Sequence, residues 1–275
     1  MRKAADRRLL VMVNVHRTVA SAWPGEGLWY DSEVSESDAI SSWTLLAKQL
    51  CRHWNFFAAD LVNEPRKGSW GRGRPTDWNK AAERMGDAVL SVCPRLLIFV
   101  QGVAGEPGAP DDGGVQEGYF WGENLYGVHT APIRLRDQSK LVYSPHTCTS
   151  APNTRRAAIH RHISLPHEPH LLRIHFGTDL CLADGPGTVK QQSYFPTCSG
   201  GGCKMEEPFP ANMPPIWDRH FGFVAQQTKH AVVIGEFGGV YTSFDKQWQD
   251  AFVTYLIDRG FGAFCMESPH PHPSL

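Results

Sequence analysis

Six short apolar runs, most of them carrying a polar or ionisable residue at or near their end, constrain the fold of this chain more than any other feature. They read LLVMVNVH (9–16), FFAADLVNE (56–64), RLLIFVQG (95–102), KLVYSPH (140–146), AVVIGEFGG (231–239) and GFGAFCM (260–266). Near-continuous hydrophobicity suits a strand covered on both faces, and such strands build parallel sheets flanked by helices. Amphipathic stretches stand between some of the runs, at 37–54, 76–93, 213–228 and 245–260. Ser37, Thr76 and Asp245 are the predicted N-caps of the first, second and fourth. Alternation of this kind predicts repeated βα units.

At 275 residues the chain suffices for one large domain, and the expectation is a single domain over 1–275. A formal charge of −1 supplies no basic field for nucleic acid or an anionic membrane, and neither partner is expected. No apolar run approaches the roughly 18 residues a bilayer span needs. Residues 1–22 imitate a secretory signal, but Asn14 splits the apolar run and His16 and Arg17 follow, so a β-strand is predicted there. The seven cysteines are too sparse for a small disulfide scaffold. Cys198 and Cys203, in CSGGGC, read as a local disulfide or free thiols rather than a zinc site.

Where the apolar runs end, His16, Asn63, Glu64, Gln101, His146 and Glu236 follow. In a (β/α)₈ barrel those strand ends converge on one face, where chemistry is usually built. A lone strand-end glutamate or histidine is most often a structural partner, but several at successive strand ends point to a shared site. Glu64 in LVNEP and Glu236 in VIGEFGG form a pair of carboxyls. Glycosidic bond cleavage calls for such a pair, one to protonate the leaving oxygen and one to attack or activate water from the opposite face. No His-x-His follows an early strand, and neither a metal nor another cofactor is expected.

These residues stand within a longer ordered set: NVHR, GLWYD, WNFFAADLVNEP, WGRGRPTDWNKAAERMGDAVLSVCPRLLIFVQGV, WGENLYGV, KLVYSPH, FPANMPPIWDRHFGFV and VVIGEFGG. With them the chain resembles glycoside hydrolase family 5, the cellulase-like (β/α)₈ retaining glycosidases, over most of 9–147 and 185–264. The resemblance implies an α/β fold of the TIM-barrel type. It implies Glu64 as acid/base, Glu236 as nucleophile and Asn63 as a hydrogen-bond partner of the sugar 2-hydroxyl. His16 and His146 resemble the family's strand-end histidines, and Trp121, Asn124 and Trp29 are candidate sugar-binding residues, as is Trp23. The implied activity is hydrolysis of β-1,4-linked glucan by a monomer, with a polysaccharide or oligosaccharide as the only partner and an extracellular destination.

The chain also departs from the family pattern. Its first strand corresponds to the family's third, which predicts about six of eight βα units and leaves out the usual site arginine. After SPH and one further residue, Thr147, the family's site tyrosine is replaced by Cys148, and Cys265 and Met266 stand where the tryptophan at the end of the last strand is expected. Gln101 stands where many relatives carry glutamate. Residues 148–184, with five histidines and no sustained periodicity, read as an insertion foreign to the family, a retained intron or a loop. The alternative these departures raise is an inactive or truncated family member that at most binds glycans.

Overall fold

The computed structural model describes residues 1–18, 27–104, 119–148, 197–199, 202–204, 209–238, 241 and 243–265. A short helix α1 (Arg2–Ala5) precedes β1 (Val11–Asn14), so the strand predicted near the N-terminus is present. The chain then alternates through α2 (Glu36–Leu50), β2 (Phe56–Asp60), α3 (Trp78–Val92), β3 (Leu97–Val100), β4 (Leu141–Tyr143) and β5 (His146–Cys148). The small antiparallel ribbon β6 (Thr197–Ser199) and β7 (Gly202–Lys204) follows, then α4 (Met213–Trp217) and α5 (Phe223–Thr228). The last elements are β8 (Ala231–Gly238), α6 (Ser243–Arg259) and β9 (Gly262–Cys265).

Among the described strands, every pairing apart from the ribbon is parallel. The ladder runs β1-β2-β3-β4-β8, and β8 also pairs with β5 and β9. β4 and β5 are one strand position interrupted at Ser144 and Pro145, where the sequence predicts a single strand over 140–146. Proline has no N–H to give the ladder, which accounts for the break. The six apolar runs thus become six positions of one curled sheet, a partial barrel wall.

Helices cover its outer face. α3 buries Trp78, Ala81, Ala82, Met85, Val89 and Leu90, the i, i+3, i+4 stripe that its sequence shows. α2 adds Trp43 and Ala47. The inner face holds a separate small cluster in which Ala58, Phe99 and Val142 pack with Met12, Leu97 and Val233. Strand side chains alternate between faces, so the residues two further on, Asn14, Asp60, Gln101 and Ser144, share that inner face one layer nearer the strand ends.

Three N-cap expectations, at Ser37, Thr76 and Asp245, are corrected. The N-cap of α2 is Ser35, not Ser37, because Asp38 at N3 returns a bond to the Ser35 backbone and completes a capping box. α3 begins after Asp77, whose carboxylate is taken by Ser69 and by the N–H groups of Gly73 and Arg74. α6 begins at Ser243, and Asp245 lies inside its first turn, accepting the Tyr241 N–H at 2.6 Å. The predicted helix at 213–228 is broken by a π-helical turn, Asp218–Gly222, which joins α4 to α5. A disulfide links Cys51 and Cys93, the C-caps of α2 and α3, a pairing that no spacing along the chain announces. Trp23, Met266, nearly all of 148–184 and the side chains of Cys198, Cys203 and Cys265 lie outside the described residues.

Candidate active site

Glu236 is placed by the sheet. It lies on β8 directly across the ladder from His146 on β5, and the imidazole Nδ1 is 3.6 Å from its Oε2. The two strands approach closely because Gly235 carries no side chain. A Cβ there would meet Ser144 Oγ at 2.6 Å and His146 Nε2 at 2.7 Å.

Glu64 is placed differently. Beyond β2 the chain buries Leu61 and Val62 and then turns at Glu64 with φ +46°, a left-handed conformation uncommon outside glycine. Its N–H donates to Gln101 Oε1 at 2.7 Å, and its Oε1 lies 3.2 Å from His146 Nδ1. His146 therefore stands between the two glutamates. One oxygen of each carboxylate and a ring nitrogen of His146 all lie within 4.8 Å of one another.

Burial is the largest influence on His146 and lowers its pKa, against the upward pull of Glu236 and Asp60, while His16 pushes in the same direction as burial. The ring at 1% exposure is thus a neutral hydrogen-bonding group near pH 7 rather than a partner in a buried ion pair. The same two carboxylates and imidazole are also a donor set that a divalent cation could use.

Beneath these residues lies a buried polar layer. Asp60 Oδ2 accepts Gln101 Nε2 at 2.8 Å and Asn14 Nδ2 at 2.9 Å. Asn14 Oδ1 faces His16 Nδ1 at 3.1 Å, and His16 Nε2 faces Asn63 Nδ2 at 3.3 Å. Burial lifts the Asp60 carboxyl to about 6, and the facing imidazoles and two amide donors keep the rise from going further. His16, Asn63, Glu64, His146 and Glu236 are therefore joined at one end of the sheet.

The aromatic and amide candidates fall in other surroundings. Trp121 is half-buried at the mouth with the Arg66 guanidinium 4.3 Å over its ring. Trp29, 1% exposed, packs on Trp78 and donates to Glu36 Oε2 at 2.7 Å. An indole so enclosed offers no open face to a sugar, which corrects its placement among the sugar-binding residues. Asn124 is also buried; its Oδ1 accepts the Tyr126 N–H, and its backbone bridges to Val103.

Sequence reasoning missed Asp60, Asn14 and the fully buried Glu123. Thr147 Oγ1 and the Phe120 N–H both donate to Glu123, and His220 of the π-helical turn lies 3.2 Å away. This cluster ties the loop carrying Trp121 to β5. The one signal for Asp60 and Asn14 was period-two spacing: each stands two residues beyond an inner-face apolar residue.

Residues 1–266 match the cellulase model of glycosyl hydrolase family 5. An endoglucanase of Paenibacillus polymyxa is 34% identical over 266 residues, covering 92% of this chain and 52% of the relative. The major extracellular endoglucanase of Xanthomonas campestris pv. campestris is 33% identical over 238 residues, covering 85% and 38%. Among solved structures, a cellotetraose complex of an endocellulase from Pyrococcus horikoshii shares the fold at a TM-score of 0.72 and 31% identity, over 96% of this chain and 63% of that one. The catalytic domain of the Xanthomonas campestris endoglucanase gives 0.69 at 32% identity, over 97% and 63%. The chain thus spans about half or less of these curated relatives.

Proposed function

The chain belongs to glycosyl hydrolase family 5, and from that premise we propose that it is a retaining hydrolase of β-1,4-linked glucan. The observation that carries this reading is the closeness of the two carboxylates, with an oxygen of each within 4.8 Å of the other. Retaining enzymes hold their carboxyls about 5–5.5 Å apart for direct attack, whereas inverting ones leave roughly 6.5–9.5 Å for a water.

In the proposed reaction Glu236 attacks the anomeric carbon while Glu64 protonates the departing glycosidic oxygen, giving a glycosyl ester on Glu236 and a released sugar hydroxyl. Glu64, now ionised, takes a proton from water as that water attacks the anomeric carbon, breaking its bond to Glu236 and regenerating that carboxylate with the configuration retained. His146, neutral and between the carboxylates, orients both without adding a positive charge that would hold Glu64 ionised. Asn63, its carboxamide held by His16, binds the sugar hydroxyls, and Trp121 provides an aromatic face for a ring. Asn124 serves the same subsite by holding the loop.

The substrate class follows the relatives, which are endoglucanases and endocellulases, and the destination follows the extracellular one among them. A disulfide between Cys51 and Cys93 suits an oxidising compartment. The catalytic unit is the single domain of residues 1–275, with 148–184 a segment foreign to the family; transcripts joining codon 147 to codon 185 would test that.

The deciding experiment is hydrolysis of carboxymethyl-cellulose and an aryl β-cellobioside by the purified chain, with the Glu64→Gln, Glu236→Ala double variant as control. Turnover with retained anomeric configuration, lost in the double variant, is the expected result. A folded chain without turnover would overturn the reading in favour of a glycan-binding relative.

A further inference from the structure

The geometry points to Asp60 as the residue that sets hydrogen-bond direction throughout the site, fixing which way two carboxamides face and which nitrogen of His16 carries the proton. Its value to catalysis rests on the roles proposed above for Glu64 and Asn63. Asp60 is a positioning residue, since it acts on them through Gln101, Asn14 and His16.

An ionised carboxylate can only accept hydrogen bonds. Asp60 Oδ2 draws the NH₂ ends of both Gln101 and Asn14 toward itself, at 2.8 and 2.9 Å, so both carboxamide oxygens must point away. On one arm, Gln101 Oε1 is thereby turned to the Glu64 N–H at 2.7 Å. A reversed Gln101 would set its NH₂ against that N–H, donor against donor, at the residue whose left-handed turn most needs support.

On the other arm, Asn14 Oδ1 faces His16 Nδ1 at 3.1 Å. A carbonyl oxygen cannot donate, so Nδ1 is the protonated nitrogen. In the neutral ring Nε2 is then the acceptor, and it receives Asn63 Nδ2 at 3.3 Å. The carboxamide beside Glu64 is in this way held in one orientation. Three strands contribute to the device: Asn14 from β1, Asp60 from β2 and Gln101 from just past β3. Asn14 and Asp60 are direct partners in the parallel register. The charged and titratable groups that face Asp60 are His146 from β5 and His16 from beyond β1.

The test is ¹⁵N NMR of the His16 ring in the full chain labelled at histidine, assigned against a His16→Gln variant. It is read in the parent, Asp60→Asn, Asp60→Leu and Asn14→Ala, together with kcat and KM on an aryl β-cellobioside. The parent should show the Nδ1–H form. Asp60→Asn, whose amide oxygen can still accept both donors, should keep that form, while Asp60→Leu and Asn14→Ala should mix it with Nε2–H. Asp60→Leu should lower kcat about 100-fold with a smaller change in KM, as misplacement of reacting groups does.

An Nε2–H ring in the parent would overturn the inference, as would an unchanged tautomer in folded Asn14→Ala. Asn14 is only partly buried, so that variant stands in if Asp60→Leu does not fold. A parent that hydrolyses nothing would sink the enzymatic reading alone, since the tautomer still decides the role of Asp60. An active parent whose tautomer and kcat ignore these substitutions would sink only the role of Asp60.

Discussion

The end of β2 and the end of β8 each bring a glutamate to the same few ångströms, yet they hold it by different means. Glu236 stays within a regular ladder, opposite His146, and its position follows from backbone register and from the close fit of Gly235. Glu64 stands beyond its strand in a left-handed turn and is held by its N–H donating to the side-chain oxygen of Gln101, itself oriented by Asp60. The β8 side should therefore be sensitive to added volume, and the β2 side to the direction and charge of hydrogen bonds.

The largest effect bears on the glutamates themselves. Glu236→Ala should lower kcat on carboxymethyl-cellulose by about 10⁵-fold, the scale on which loss of a covalent nucleophile registers in other hydrolases. Glu64→Gln should cost roughly 10²–10⁴-fold on the same substrate and much less for glycosylation by an activated aryl glycoside, which needs no protonation of its leaving group. Equal activity of Glu236→Ala and the parent would remove one side of the comparison altogether.

Gly235→Ala probes the packing of β8. The added methyl meets Ser144 and His146 inside contact distance and should displace the imidazole, costing about 100-fold in kcat and about 1–3 kcal/mol in stability. A variant crystallising with His146 unmoved and fully active would show that side to be more compliant than its spacing suggests.

Asp60→Asn probes charge on the β2 side. The native carboxyl titrates near 6 against an ordinary value of 3.8, so the folded chain binds the extra proton between about pH 4 and 6. Stability of the parent should therefore fall as pH rises through that window, by about 3 kcal/mol if this group acted alone. The asparagine variant should lose that slope in urea denaturation. An unchanged slope would deny that Asp60 is the buried titrating group.

Smaller still is the effect of opening the disulfide that joins the helices outside β1–β3. Cys51→Ser with Cys93→Ser should lower stability by about 2–4 kcal/mol, because the bridge closes a loop of 42 residues, and leave turnover at 25 °C unchanged. The smallest change should come from EDTA. The Glu64, His146 and Glu236 donors are spaced for a cation, but the proposed double displacement uses none. Loss of activity on chelation, restored by a divalent metal, would replace the two-glutamate account with a metal-centred one.

Much of this architecture was legible in the chain. The strands declared themselves because residues buried on both faces must be apolar over a whole run, and α3 did so because its covered stripe repeats at helical spacing. Glu64, His146 and Glu236 were legible for the complementary reason, as ionisable residues following runs that had no other use for charge. Trp29 was misjudged because an indole reads alike whether it packs on Trp78 or awaits a sugar. Ser35 was passed over for Ser37 because both precede apolar residues, and only the return bond from Asp38 distinguishes them. The π-helical turn at Asp218–Gly222 and the pairing of Cys51 with Cys93 have no periodic signature.

By itself, then, the sequence determined the βα alternation, the family and the set of residues gathered at the strand ends, since burial imposes a local and periodic demand on residue type. Only the tertiary structure decided that Asp60 underlies the site, that His146 is held neutral, and that Glu64 hangs from Gln101. Hydrogen-bond direction and the cost of a buried charge depend on which groups face one another across different strands, and those neighbours lie tens of residues apart in the chain.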